Sequence, residues 1–366
     1  MVLYINGNYP HHSLHGELVT KLADLGHEIC VYIPTRGTDL FGRYDHHKQG
    51  VELVYSDVLT LSDRVFFKEK TRKLVRDIER KIDMAQVDCI LAGTVYSDGI
   101  PAYLLSQKYG IPFSVVVRNT DINTHMKWRP YLDGLIKKVL YATSKIVCIS
   151  PSYQVFFDKY EIDKDKFVCI PNAINDFWFS NKSDKRSVNK PLMLIYVGEI
   201  TDNKNLQTSI RVVRELNANN INSELHVIGS GDKEVVCQQL ASKLGIYEKI
   251  HFHGWKNGMN EIKEYYDSAD IFIMPSFKET FGTVYVEALS QGLPIIYTKG
   301  QGIDGYFKQG EIGYACEPTN VSEITVSIKR VLENYNNFSE KCVAESYKFR
   351  WDTVAKEYST LIKSMR

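Results

Sequence analysis

Two glutamates stand eight positions apart in the segment Pro275–Leu289, Glu279 and Glu287, on either side of a Phe281-Gly282-Thr283 step. Ahead of them, Ala269–Met274 is a short apolar run that reads as a buried strand. Behind, Val284, Ala288 and Leu289 recur at helical spacing up to Gly292, a glycine placed to end a helix. Glu279 therefore falls in a strand-to-helix loop, Gly282 and Thr283 open the helix, and Glu287 sits one turn further along the face of Thr283. The first amides of that helix and its positive dipole end can hold a phosphate without a metal. With one carboxylate before this anion hole and one behind it, the spacing fits a ligand with hydroxyls on both sides of a diphosphate, a nucleotide sugar. Glu279 would accept from the sugar and Glu287 from the ribose. A bare pair of glutamates would read as surface charge. The Phe281-Gly282 step points instead to a ligand, because a helix start needs a small residue where something approaches its backbone closely.

The stretch resembles the Glu-seven-residues-Glu signature of the retaining glycosyltransferases of family four, and Ala288–Ile296 resembles that family's "EA…A.G.P" pattern. The resemblance implies an α/β chain of the GT-B fold: two facing Rossmann-like, doubly wound parallel-sheet domains with a cleft between them. It implies an acceptor-side domain over 1–175, a linker over 176–190, a donor-binding domain over 191–348 and a final helix over 349–366 crossing back to the first domain. No cofactor and no metal are expected, the nucleotide sugar being a co-substrate.

Composition sets the bounds. A chain of 366 residues is expected to hold two domains, and 44% hydrophobic with 24% charged residues is ordinary for a globular protein. The net charge of +1 gives no reason to expect nucleic acid. Seven cysteines are scattered without a C-x-x-C pair, which reads as reduced usage and not as a disulfide framework or a zinc site. Met1–Ile5 runs straight into a strand without a signal-like n-region, and no apolar run has transmembrane length. The expected location is the cytoplasm, or the inner face of the cell membrane as a peripheral protein.

Along the first half, Val2–Ile5, Glu28–Ile33, Val51–Val54, Val87–Ala92, Ile111–Val117 and Ile146–Ile149 read as strands separated by helices, the pattern of a parallel sheet. His15-Gly16-Glu17 opens the first helix; by resemblance Gly16 belongs to the glycine-rich loop that approaches the diphosphate, with His15 in place of a first glycine. Arg64–Lys81 reads as one charge-rich helix with Val65, Phe66, Leu74, Val75, Ile78 and Ile82 on its apolar side, either packed on one face or lying on a membrane surface. After Val117, Arg118-Asn119-Thr120-Asp121 occupies a strand's carboxyl end and resembles the family's "HGTD" segment, with Arg118 where a histidine is usual. Arg118, Asp121 and His125 are the acceptor-side candidates, His125 standing in for that histidine; an Arg118–Asp121 ion pair is the structural alternative. Asp163-Lys164-Asp165 reads as a charged turn.

Phe167–Asn175 resembles the family's crossover, and Ser180–Lys190 has linker composition. Beyond it, Met193–Gly198 reads as a strand followed by Glu199 and Lys204. By resemblance Gly198 and Lys204 meet the diphosphate, and Glu199 takes the place of an arginine. A carboxylate about 4 Å from a diphosphate costs roughly 4 kcal/mol at a surface-like dielectric. Glu199 is therefore expected to turn away or to pair with Lys204. The same resemblance implies that the nucleotide base lies at Gly254. His251 and His253 alternate as a metal pair would, without a third ligand in view. Helices are expected over Val321–Asn334 and Ser339–Lys363.

The resemblance thus implies a retaining, metal-independent hexosyltransferase. Its catalytic set would be Glu279, Lys204 and His125, and its donor site Gly16, Gly198, Lys204, Gly254, Glu279, Phe281, Gly282, Thr283 and Glu287. The donor would be a nucleotide-diphosphate sugar, with UDP ahead of GDP. The acceptor would be a glycan or a polyprenyl-linked hydroxyl, in bacterial capsule, exopolysaccharide or lipopolysaccharide biosynthesis. The competing readings are a nucleotide-sugar epimerase or hydrolase on the same fold, and a binding protein that has lost catalysis.

Overall fold

The structure, a computed structural model, describes residues 1–183 and 187–366. It divides into two compact units, one formed by Met1–Ile149, Tyr153–Asn172 and Trp351–Arg366, the other by Ser150–Ser152 and Ala173–Arg350.

The first unit is built on seven strands: β1 (Val2–Ile5), β2 (Ile29–Pro34), β3 (Val51–Ser56), β4 (Cys89–Ala92), β5 (Phe113–Val117), β6 (Ile146–Cys148) and β7 (Phe167–Cys169). They run parallel in the order β3-β2-β1-β4-β5-β6-β7. The central strands are buried along their whole length, which is why they read as continuous apolar runs and not as alternating ones. Strand order reverses between β1 and β4. The carboxyl ends of these two strands flank a topological switch point, the place where sheets of this kind bind ligands.

The second unit repeats the plan with β8 (Leu192–Val197), β9 (Ser223–Ile228), β10 (Ile250–Phe252), β11 (Ile271–Ile273), β12 (Ile295–Thr298) and β13 (Gly313–Cys316), parallel in the order β10-β9-β8-β11-β12-β13. Its switch point lies between β8 and β11, whose carboxyl ends lead into Gly198–Lys204 and Pro275–Glu279.

Three expectations need correction. The helix read over Ser339–Lys363 is two: Tyr335–Ser346 ends in a tight turn, Tyr347–Phe349, and Trp351–Met365 starts anew. The break follows from Phe349, fully buried against Phe281 and Phe307 in the second unit. The helix after it belongs to the first unit, where Lys21 meets Asp352 at 2.9 Å and His27 Nε2 lies 2.7 Å from Ser359 Oγ. The charge-rich helix begins at Phe67, preceded by a turn at Leu61–Arg64, and Val65 and Phe66 are 71% and 62% exposed instead of packed. Its Asp77 is buried, accepting from Tyr32 Oη at 2.8 Å and Ser56 Oγ at 2.5 Å, so it ties helix to sheet and is not part of the solvated face. Finally, the stretch read as a linker contains a short helix, Phe177–Ser180, whose Trp178 is buried edge-on to Tyr266. Asp184, Lys185 and Arg186 of that stretch lie outside the described residues.

The strand ends of the second unit are crowded together by glycine. A Cβ on Gly229 would lie 1.9 Å from the Gly198 carbonyl oxygen, whereas one on Gly254 would meet nothing within 4 Å. Gly229→Ala is therefore expected to cost about 3 kcal/mol or more. Gly254→Ala, at φ +70, should cost only the left-handed backbone penalty of ~1–2 kcal/mol. Urea unfolding of both variants checks this; equal losses would contradict it.

Candidate active site

Lys204 and Glu279 come from separate loops, after β8 and after β11. Two asparagines stitch those loops together. The Asn203 carbonyl oxygen accepts the Phe277 amide at 2.8 Å, its Oδ1 accepts the Lys278 amide at 3.1 Å, and its Nδ2 donates to the Lys278 carbonyl at 2.9 Å. Asn205, in the left-handed conformation at φ 53, donates to the Pro275 and Pro318 carbonyls at 3.0 and 2.8 Å. The stitching brings Lys204 Nζ to 2.5 Å from Glu279 Oε2, with the two side chains 25% and 11% exposed. Such a charge-assisted bond is worth more than a surface ion pair, because solvent screens it less.

Glu279 is further held by its backbone. Its amide donates to Gln301 Oε1 at 3.3 Å and its carbonyl accepts from the Gly302 amide at 2.8 Å. Glu279 Oε1 takes the Thr280 amide at 3.0 Å. Gly282 caps the helix Thr283–Ser290 in the left-handed conformation, φ +77, and a Cβ there would strike the Tyr285 ring at 2.5 Å. Glycine is thus demanded by the protein's own packing, in addition to any ligand. No side chain caps this helix start among the described residues, so its first amides are open to an anion. Thr283 is the first helical residue, half-buried beside them.

Glu287 is half-buried on the same helix, with the Tyr266 hydroxyl 3.5 Å from its Oε2. Burial pushes its carboxyl up to about 7, against the hydrogen bond from Tyr266. Near neutral pH it can therefore accept or donate. Phe281, expected at the donor, is core instead: it is buried against Phe349 and Tyr306. Of the two expectations for Glu199, the first holds: it is exposed and turned away, while Lys204 is taken by Glu279. Gly198 directly follows β8 and Gly254 lies just past β10; the Gly198 amide donates to the Ile228 carbonyl at 3.0 Å and the Gly254 carbonyl accepts from the Gly229 amide at 2.9 Å.

In the first unit, Asp121 is a positioning residue. Fully buried, it accepts from the amides of Val95 and Tyr96 at 3.1 Å and of Arg118 at 2.9 Å, tying the loop after β4 to the loop after β5. It does not pair with the Arg118 guanidinium, which donates through Nη1 to Asn172 Oδ1 at 2.9 Å and leaves the buried Nε without a hydrogen-bond partner among the described residues. His125 ends a single π-helical turn, Asp121–His125, its ring against Tyr96 and Phe67. It lines a cavity of about 160 Å³ together with Lys70, Ser97, Asp98 and Thr120. Burial, then Arg129 and Lys70, push the His125 imidazole down to about 4, so it is neutral at pH 7. Burial pushes Asp98 up to about 6, against the nearby Lys70. Gly16 lies in the first turn of the helix Ser13–Asp24, and a Cβ there would meet His46 at 2.5 Å and the Tyr44 carbonyl at 2.7 Å. Its close approach is to the 44–46 loop. Sequence reasoning missed Asn203, Asn205 and Gln301, because each acts on a loop distant in sequence.

Residues 16–176 match the family model described as Glycosyltransferase Family 4, and residues 179–349 match the model described as Glycosyl transferases group 1. Curated relatives include an uncharacterized glycosyltransferase of Methanocaldococcus jannaschii, 28% identical over 240 residues, 61% of this chain and 60% of that one. The N-acetyl-alpha-D-glucosaminyl L-malate synthase of Bacillus anthracis is 23% identical over 361 residues, 94% of this chain and 91% of that one. The chain thus spans less than two thirds of the first relative's length and nearly all of the second's. Among solved structures, Anabaena Alr3699/HepE in complex with UDP superposes with a TM-score of 0.74 at 15% identity, over 99% of each chain. At that identity the likeness is one of fold, and the fold is GT-B. Two parallel sheets with a charged strand-to-helix loop at a switch point, matched by both models, make this chain a member of the family-4-type glycosyltransferases.

Proposed function

We propose that the chain is a retaining, metal-independent glycosyltransferase that moves a sugar from a UDP-sugar to a hydroxyl of a glycan or lipid-linked acceptor. The observation that carries this reading is the convergence of Lys204, Glu279 and the uncapped start of the helix Thr283–Ser290 at the β8–β11 switch point. The Lys204 ammonium and the amides of Gly282 and Thr283 would take the diphosphate and the charge it gains as it leaves. Glu279 would shift from Lys204 to the sugar hydroxyls and stabilise positive charge at the anomeric carbon. Glu287 would accept from the ribose. In the step itself the acceptor oxygen bonds to the anomeric carbon on the face from which the diphosphate departs. The acceptor's proton passes to a phosphate oxygen of the departing UDP, so no side chain need act as nucleophile. Neutral His125 and the carboxyl group of Asp98 would bind the acceptor hydroxyl on the first unit. UDP as the base draws support from the UDP bound in the Anabaena structure.

A second acceptor class is favoured by Arg118. Its buried Nε, without a hydrogen-bond partner among the described residues, suits an acceptor that carries a carboxylate, and the Bacillus anthracis relative is named for an L-malate product.

The first unit also offers a surface suited to a membrane. Leu61, Val65, Phe66, Trp128 and Tyr131 are each more than 60% exposed, among the exposed Arg64, Lys68, Arg72 and Lys127. The Arg129 guanidinium joins the two segments by donating to the Arg64 carbonyl at 2.9 Å. No helix among the described residues is long and apolar enough to cross a membrane. Apolar residues ringed by cations suit the interface of an anionic bilayer.

Calorimetry with UDP, GDP and ADP, each with and without EDTA, tests the donor reading. UDP should bind at least ~10-fold tighter than the other two, unchanged by EDTA; equal affinities, or loss with EDTA, would count against it. Sedimentation with phosphatidylglycerol-containing vesicles tests the membrane surface. Val65→Asp with Phe66→Asp should abolish co-sedimentation, and unchanged binding would remove this patch from the account.

A further inference from the structure

A second group of ligand-type side chains lies on the outer strands of the second sheet, away from Lys204 and Glu279. Side chains alternate along a strand. Glu224 and His226 of β9 and His251 of β10 therefore leave one face, with His253 continuing the same alternation just past β10. On the opposite face, Leu225, Val227 and Ile250 are buried in the core. The parallel register sets His251 directly beside His226, and the two ring centroids are 4.8 Å apart. Glu224 Oε2 lies 3.0 Å from His251 Nε2, and His253 Nε2 lies 3.0 Å from His226 Nδ1. One ligand atom each from Glu224, His226 and His251 fall within 4.8 Å of one another. The sequence offers His251 and His253 alone; the register supplies the other two.

The donor atoms suit a cation. Lys249 Nζ occupies Oε1 at 3.2 Å, leaving Oε2 to face the imidazoles. Two imidazoles and a carboxylate are a donor set that zinc takes, while calcium and magnesium want oxygen alone and copper(I) wants thiolate.

We propose that Glu224, His226 and His251 form a binding site for one zinc ion, with His253 or water as the fourth ligand. Zinc–ligand bonds of about 2.0–2.2 Å put tetrahedral ligand atoms ~3.4 Å apart. Rotation of the half-exposed His251 and Glu224 side chains closes the remaining distance. The ion would cross-link β9 to the edge strand β10. This site stands apart from the transfer reaction and does not rest on it.

The test uses the full chain, tag-free and metal-stripped, titrated with zinc chloride by calorimetry and with cobalt(II) by absorption. One equivalent of zinc should bind and raise the Tm, and cobalt should give the visible bands of a four-coordinate site. His226→Gln and His251→Gln should each weaken zinc at least ~10-fold, while Cys237→Ser binds as the parent does. His251 is 37% exposed on an edge strand, so His251→Gln should match the parent's metal-free Tm and decides the matter if His226→Gln fails to fold. No saturable binding, or one equivalent that survives His251→Gln, would overturn the proposal.

Discussion

The charged bond between Lys204 and Glu279 is the interaction on which the candidate site depends. Neither residue could hold its place alone, since each sits in a loop and carries a long, flexible side chain. Asn203 and Asn205 remove that freedom by spending their side-chain amides on the backbone of the facing loop. The pair is then part-buried and pre-positioned, with an uncapped helix start beside it. The cation and the open amides are thus oriented before any ligand arrives, so the site is preorganised.

The first unit solves the same problem differently. Its switch-point loops are tied by a buried carboxylate, Asp121, which collects three backbone amides from two loops. With Asp121 occupied in this way, Arg118 turns to Asn172 and keeps one donor unspent. Neutral His125 and the cavity beside it follow from the same loop arrangement. Both halves thus use one rule of parallel sheets, loops gathered at the carboxyl ends of neighbouring strands, with different polar fasteners.

Much of this was legible in the sequence. Continuous apolar runs marked the strands because helices cover both sheet faces. The Glu279–Glu287 spacing marked a strand-to-helix loop because the helical period resumes at Thr283. What was not legible depends on which strands become neighbours. Nothing local in the charge-rich helix reveals that Tyr32 and Ser56 face Asp77 and bury it. That Glu199 would turn away was legible, but not that Lys204 would pair with Glu279, which reaches it from the loop after another strand. Phe281 read as a donor contact because it precedes Gly282, yet Phe349 and Tyr306 draw it into the core. Gly16 and Gly282 read as places of ligand approach, and each also has a steric cause within the chain.

The most direct test of the account is the affinity for UDP of Lys204→Ala and Glu279→Gln, measured by calorimetry beside the parent. If the pair is a preset diphosphate and sugar site, Lys204→Ala should lose at least ~10-fold in affinity, as expected when a charged hydrogen bond to phosphate is removed. Glu279→Gln should bind UDP at least as tightly as the parent, because the amide no longer competes for the lysine. Undiminished binding by Lys204→Ala, or binding lost in Glu279→Gln, would contradict it.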